Sequence, residues 1–129
     1  MLWLYRSMIE DAGKPMLGSR GGMLGVRPGY DILISDDGMV RPETGGMSVT
    51  PRDPRYLPRH RKPPALGGRG RDPVFRILCA VLPPALRYAE ESLSHGVIEP
   101  AADCPFSVYQ ENLHGTCDQW ERMRYEPVL

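Results

Sequence analysis

Glycine and proline punctuate this chain so often that short elements joined by turns are the expectation. There are 14 of each in 129 residues. Because the apolar content is sufficient for a core, the pattern argues for many turns and irregular connections rather than for disorder. The densest run lies between Pro51 and Asp72, where Pro51, Pro54, Pro58, Pro63 and Pro64 stand among charged residues. It reads as an extended loop without helix, whose prolines reduce the entropy lost on ordering. A chain of this length fits one domain, residues 1–129, with a modest core.

Between the interruptions the apolar pattern marks short elements. Leu2 to Arg6 alternates as a strand does, with Leu2, Leu4 and Arg6 on one face and Trp3 and Tyr5 on the other. With Leu2 and Leu4 facing the core, Arg6 falls at its rim. Gly13 to Gly29 reads as a loop with at most one helical turn. Tyr30 to Ser35 reads as a strand stopped by the turn signal Asp36-Asp37-Gly38. Met39–Val40 and Met47–Thr50 follow as short strand pieces. Val74 to Leu82 is an apolar run bounded by proline and favours a buried strand, Pro84 to Leu93 suits a helix with proline in its first turn, and Gly96 to Ile98 suits a short strand. Ser107 to Met123 carries a partial apolar stripe, Val108, Asn112, Leu113, Trp120 and Met123, that reads as a helix weakened by Gly115. No internal repeat is evident.

Charge is balanced overall, with 16 basic and 16 acidic residues, but not along the chain. From Arg52 to Arg71 seven basic residues face one acid, Asp53. A binding module that docks an acidic partner or nucleic acid through loop 52–71 is therefore one reading of the chain. Tyr56 is the one aromatic residue in that run, which is poor support for base stacking. No apolar stretch approaches the roughly 20 residues of a membrane span, and the N-terminal apolar run is too short for a signal peptide, so a cytoplasmic setting is expected. Three cysteines are an odd count, which makes reduced thiols the default. Cys104, His114 and Cys117 fall short of the four ligands of structural zinc, so no metal site is expected. A Walker loop, a dinucleotide-type GxGxxG after a strand and a nucleophile elbow are all missing.

The segment from Tyr30 to Val49 carries the strongest functional signal. After the turn at Asp37-Gly38 the chain runs through Pro42-Glu43-Thr44-Gly45-Gly46-Met47-Ser48-Val49. Two adjacent glycines remove the Cβ atoms that would keep a ligand from the backbone, and Thr44, Ser48 and Thr50 set hydroxyls beside it. An ordinary turn accounts for the same glycines. This segment resembles part of a family of small toxins exported by bacterial type VI secretion, the Tse-two effector family, whose fold is similar to that of ADP-ribosyltransferases. The resemblance extends, in order, through Leu4-Tyr5-Arg6, Pro28-Gly29-Tyr30-Asp31-Ile32, Asp37-Gly38, Pro42, Thr44-Gly45-Gly46-Met47-Ser48-Val49, Pro83-Pro84-Ala85-Leu86, His95 with Pro100, Tyr109 and Trp120-Glu121.

The resemblance implies a small α+β domain with two short mixed or antiparallel sheets around a cleft and helices outside. It also implies attack on the bond between nicotinamide and ribose in NAD, which passes through an oxocarbenium-like state. By the same resemblance Arg6 binds a phosphate or ribose. Thr44, Gly45 and Gly46 offer a backbone donor and acceptor to the nicotinamide carboxamide, and Ser48 holds the neighbouring ribose or supports Arg6. His95 binds ribose hydroxyls or carries a proton, and Tyr109 stacks on nicotinamide or fills core. Glu111 is the candidate for the acid such enzymes use, ahead of Glu99 and Glu43, although on a helix it would face away from Tyr109. Cleavage of NAD and transfer of ADP-ribose both stay open. The implied setting is an antibacterial toxin acting in a recipient cytoplasm, delivered without a cleavable signal peptide and neutralised by a cognate immunity protein. There the basic loop borders the NAD cleft or meets that inhibitor.

Overall fold

A computed structural model describes residues 1–124, so the end of the expected domain, residues 125–129, lies outside the described residues. Among the described residues the order of regular elements is β1 (Trp3–Ser7), β2 (Glu10–Asp11), β3 (Lys14–Pro15), β4 (Met39–Val40), β5 (Met47–Pro51), β6 (Val74–Leu78), β7 (Leu86–Glu90), β8 (Gly96–Pro100), β9 (Cys104–Pro105), α1 (Phe106–His114) and β10 (Glu121–Arg122). Six of the strands join in the order β10-β6-β1-β5-β8-β7, while β2 with β3 and β4 with β9 form two small ribbons. Every pairing between named strands is antiparallel. The α+β class expected from the resemblance is the class observed. Its two expected sheets share β5 and so run together into one.

The alternation read in β1 separates two apolar clusters. Leu4 is fully buried in the main core with Phe75 and Ile77 of β6, Met47 and Val49 of β5, Ile98 of β8, and Tyr109 and Leu113 of α1. Tyr5 enters a smaller cluster with Leu57 and Val74, against which Trp3 and Met123 pack. The Arg76 guanidinium lies over the Trp3 ring at 4.0 Å. The helix covers one face of the sheet through its buried residues Tyr109 and Leu113, and each such burial stabilises the fold by roughly 1.5–3 kcal/mol.

Several local expectations give way to tertiary pairing. The stretch Pro84–Leu93, expected as a helix, is β7, an arm of a hairpin in which Arg87 stands opposite Glu99 and Tyr88 opposite Ile98. Its period fits a helix only through Leu93, which is 71% exposed in the hairpin turn. Tyr30–Ser35 does not form a ladder: Ile32 makes isolated bridges to Pro28 and Gly45. The turn after it does form, closed by the Gly38 amide donating to the Ser35 carbonyl at 2.8 Å. The expected helix Ser107–Met123 ends at His114, and a short 3-10 turn, Cys117–Gln119, leads into β10. Val74–Leu82 begins as the expected strand and turns into 3-10 geometry at Cys79. The hairpin of β2 with β3, and strands β9 and β10, lay in stretches too short or too polar to carry a period.

Tyr109 shows how helix and sheet are locked together. Its hydroxyl donates to the Ile98 carbonyl at 2.6 Å and accepts from the Met47 amide at 3.2 Å, joining β8 and β5 from beneath. Burial pushes this phenol well above its usual pKa and keeps it a donor. Gln110, the next residue, ties both the amide and the carbonyl of Val26 to the helix, at 2.9 and 3.1 Å. Replacing Tyr109 by Phe should strand two buried backbone groups and cost about 1–3 kcal/mol of stability, to be read as a lower urea midpoint at unchanged slope.

Candidate active site

The site begins where the main sheet comes apart. Leu4 pairs with Pro51 and Tyr5 with Thr50, a register that would next set Arg6 against Val49 and Ser7 against Ser48. That pairing is not made. Beyond Tyr5, β1 stays with β6, through Arg6↔Phe75 and Ser7↔Val74, while β5 turns to β8, through Ser48↔Val97 and Val49↔Gly96. The two strands thus diverge and leave carbonyls in need of donors. The Arg6 guanidinium spans the gap, donating through Nη1 to the Ser48 carbonyl at 2.8 Å and through Nη2 to the Met23 carbonyl at 2.9 Å. Its Nε–H is buried and finds no partner among the described residues. Burial, and then the like charge of Arg61, lower this guanidinium to about 10.

The gap opens into a cavity of about 230 Å³. Tyr5, Arg6 and Ser7 line it from β1, and Ser48, Val49 and Thr50 line it from β5. His95, just before β8, lines it too. The glycine turn Gly21-Gly22 with Arg27 and Asp31 closes one side, and Leu57, Pro58, His60 and Arg61 of the basic loop close another. Arg6, Ser48 and His95, expected from the sequence as site residues, therefore share one cavity. The Ser48 hydroxyl belongs to an exposed residue whose carbonyl alone serves Arg6. His95 Nδ1 lies 2.8 Å from Glu91 Oε2. In the neutral ring that contact puts the proton on Nδ1 and leaves Nε2 as an acceptor.

Four sequence candidates lie elsewhere, and a fifth turns inward. Thr44, Gly45 and Gly46 do not line the cavity. The Thr44 hydroxyl donates to the Arg41 carbonyl at 2.7 Å, and the Gly46 amide donates to the Asp31 carbonyl at 2.9 Å. A Cβ on Gly45 would meet the Asp31 carbonyl oxygen at 2.3 Å, and one on Gly46 the Ile98 carbonyl oxygen at 2.5 Å. The glycines let backbone pack on backbone at these two positions. Tyr109 fills core and is not placed to stack. Glu111 is exposed on the helix, outside the cavity lining. Of the lesser acids, Glu99 is 2% exposed and ion-paired with Arg87 at 3.0 Å, and it accepts the Glu43 amide at 3.1 Å. It organises the Pro42–Gly46 turn.

The carboxylate that does line the cavity is Asp31. Arg27 grips it through Nη2 at 2.8 Å and through its backbone amide at 2.7 Å, with its guanidinium 3.9 Å above the Tyr30 ring. Burial alone would push the Asp31 carboxyl up, but the hydrogen bonds from Arg27 hold it below the ordinary carboxylate value. Sequence reasoning missed Arg27, Asp31 and Arg61 as site residues. Asp31 was visible within the Pro28–Ile32 block, but the fold alone carries that loop to the gap. Cys104, His114 and Cys117 are not gathered: the described residues hold no group of three His, Cys, Asp or Glu able to take a metal. All three cysteines are free. Among the described residues no helix is long and apolar enough to cross a membrane.

A small α+β domain whose antiparallel sheet parts at a basic cleft is the class of protein these observations define. A family model described as Tse2 ADP-ribosyltransferase toxin matches residues 3–124, and the chain belongs to that family. It is by that membership a toxin with ADP-ribosyltransferase-like, transferase-type activity. No curated protein matches the chain significantly.

Because the Asp31 carboxyl is held low in the folded state, its contribution is present above the pKa of an unfolded aspartate and is lost as pH falls through the carboxylate range, below about pH 4. Asp31→Asn should therefore show a flatter loss of stability than the wild type between about pH 5 and pH 2, measured by thermal unfolding along a pH series.

Proposed function

We propose that this chain is an NAD-dependent antibacterial toxin that breaks the nicotinamide–ribose bond of NAD and passes ADP-ribose to a target in the recipient cytoplasm or to water. The observation that carries this reading is the cavity where β1 and β5 part, in which Arg6, Ser48, His95 and Asp31 meet from four separate stretches of chain. NAD is the substrate such a family member uses, and the residues present suit it. Three guanidiniums, Arg6, Arg27 and Arg61, against one carboxylate give the lining a positive excess suited to a diphosphate.

In this reading the bonding pair leaves with nicotinamide, and the ribose carbon becomes cationic before a nucleophile attacks it. Asp31, kept ionised by Arg27, supplies negative charge near that cation in place of Glu111. The Ser48 hydroxyl bonds the substrate, free of any structural duty because Arg6 uses only the Ser48 carbonyl. His95, held through Nδ1 by Glu91, accepts the nucleophile's proton at Nε2. The outer part of the basic loop suits a different task. Arg59, Arg69 and Arg71 are exposed there, a surface that an acidic immunity protein could cover while closing the cavity.

Induction of the wild-type chain in a bacterium should arrest growth and deplete cellular NAD, whereas the double change Ser48→Ala with His95→Ala, expressed to the same level, should do neither. Normal growth with constant NAD in both would overturn the proposal and leave a binding module acting through loop 52–71. In the same assay Asp31→Asn should slow NAD loss at least tenfold, about 1.4 kcal/mol of transition-state stabilisation, while Glu111→Gln should behave as wild type. An inert Glu111→Gln with an active Asp31→Asn would reverse the assignment of the acid.

A further inference from the structure

Of the three guanidiniums that line the cavity, Arg61 is the one that the proline-rich basic loop delivers. Its loop is tied down at several points. Leu57 is buried against Tyr5 and Val74, and the Arg61 and Lys62 amides both donate to the Pro58 carbonyl, at 2.9 and 2.8 Å. The returning chain bonds across, from the Arg69 amide to the Arg59 carbonyl at 2.8 Å and from the Gly70 amide to the Lys62 carbonyl at 2.7 Å. Gly70 allows that close return, since a Cβ there would stand 2.4 Å from the Arg61 carbonyl oxygen. The backbone under Arg61 is thus fixed on both sides.

The side chain then reaches from this loop to the opposite wall. Its Nη1 would lie 3.2 Å from a Cβ on Gly22 and its Nη2 3.7 Å from one on Gly21, so that the two glycines leave room for the guanidinium. Among the described residues it makes no side-chain hydrogen bond and no ion pair. The one carboxylate of the cavity is already held by Arg27. Arg61 stands close enough to Arg6 to lower the latter's pKa. Arg6, with its Nε–H buried and unpartnered, and Arg61 border a single cavity whose one carboxylate, Asp31, is hydrogen-bonded to Arg27. Like charges so placed repel unless an anion comes between them.

We infer that Arg61, delivered by the proline-rich loop, is a ligand-binding residue that clamps the diphosphate of a nucleoside diphosphate ligand together with Arg6. The inference rests on the NAD reading and deepens it: the basic loop is part of the substrate site, not only an edge that a partner meets. The planar fork of Arg61 suits two phosphate oxygens at once, which an ammonium does not.

Titration calorimetry of the purified full chain with NAD, ADP-ribose, inorganic pyrophosphate and adenosine tests the clamp. Wild type should bind ADP-ribose more tightly than either fragment. Arg61→Ala should weaken ADP-ribose binding on the order of tenfold or more while leaving adenosine binding and the thermal midpoint unchanged. Arg61→Lys should recover part of the loss. Arg69→Ala, which removes an exposed charge from the same loop outside the cavity lining, should bind as wild type does. Equal affinity of Arg61→Ala and wild type for ADP-ribose would overturn the clamp while sparing the NAD reading. Equal weakening by Arg69→Ala would overturn it in favour of bulk charge, and pyrophosphate binding as tight as that of ADP-ribose would overturn the nucleoside part. Failure of wild type to bind ADP-ribose or NAD would overturn both readings together.

Discussion

The structure depends on a pairing that stops. Two antiparallel strands in register normally continue until one of them ends, but here β1 and β5 part after Tyr5↔Thr50 and each takes up another neighbour. A sheet that opens in its middle exposes backbone groups that must be satisfied. Arg6 does this with a side chain, bonding the Ser48 carbonyl across the gap and the Met23 carbonyl of the loop beside it. Tyr109 does the complementary work within the main core, holding β5 to β8 by two bonds from one hydroxyl. The gap persists because both of its edges are pinned by buried groups.

The placement of charge follows from that gap. A guanidinium drawn into the sheet loses water, and its lowered pKa of about 10 records the cost. A partly buried cation of this kind raises the affinity of its surroundings for anions, because the protein supplies carbonyl oxygens in place of a carboxylate. Asp31, the acid nearest to hand, is taken by Arg27. The cavity accordingly keeps an excess of positive charge, although the chain as a whole has none. Net charge hid this, as a sum over the chain always hides local fields. The basic loop accordingly divides its charge, with Arg61 lining the cavity and Arg59, Arg69 and Arg71 exposed.

Legibility in the sequence varied with the range of the interactions involved. The alternation of Leu2 to Arg6 is a local property, and it put Arg6 at the rim of the core where the structure has it. The hairpin of β7 and β8 was half legible: Gly96–Ile98 read as a strand, but Leu86, Ala89, Glu90 and Leu93 mimicked a helical stripe. Pairing with β8 outweighed that weak period, as it does wherever propensity is slight. The glycines at positions 45 and 46 read as an opening for a ligand. In the fold they are required by the carbonyls of Asp31 and Ile98, which come from distant parts of the chain. Glu111 lies exposed on the helix outside the cavity lining, and Asp31 stood within the quoted Pro28–Ile32 block without its neighbours in space being visible.

The sequence by itself determined the family and through it the α+β class, the proline-rich basic loop and the candidates Arg6, Ser48 and His95 that share one cavity, because strand alternation, turn chemistry and ordered motifs are written in neighbouring residues. Only the tertiary structure decided that β1 and β5 part, that Asp31 rather than Glu111 faces the cavity, that Tyr109 is a strut and that Arg61 crosses to Gly21 and Gly22. Those outcomes come from strand partnership and loop closure between segments tens of residues apart. Their energies belong to contacts that exist only once the chain has folded.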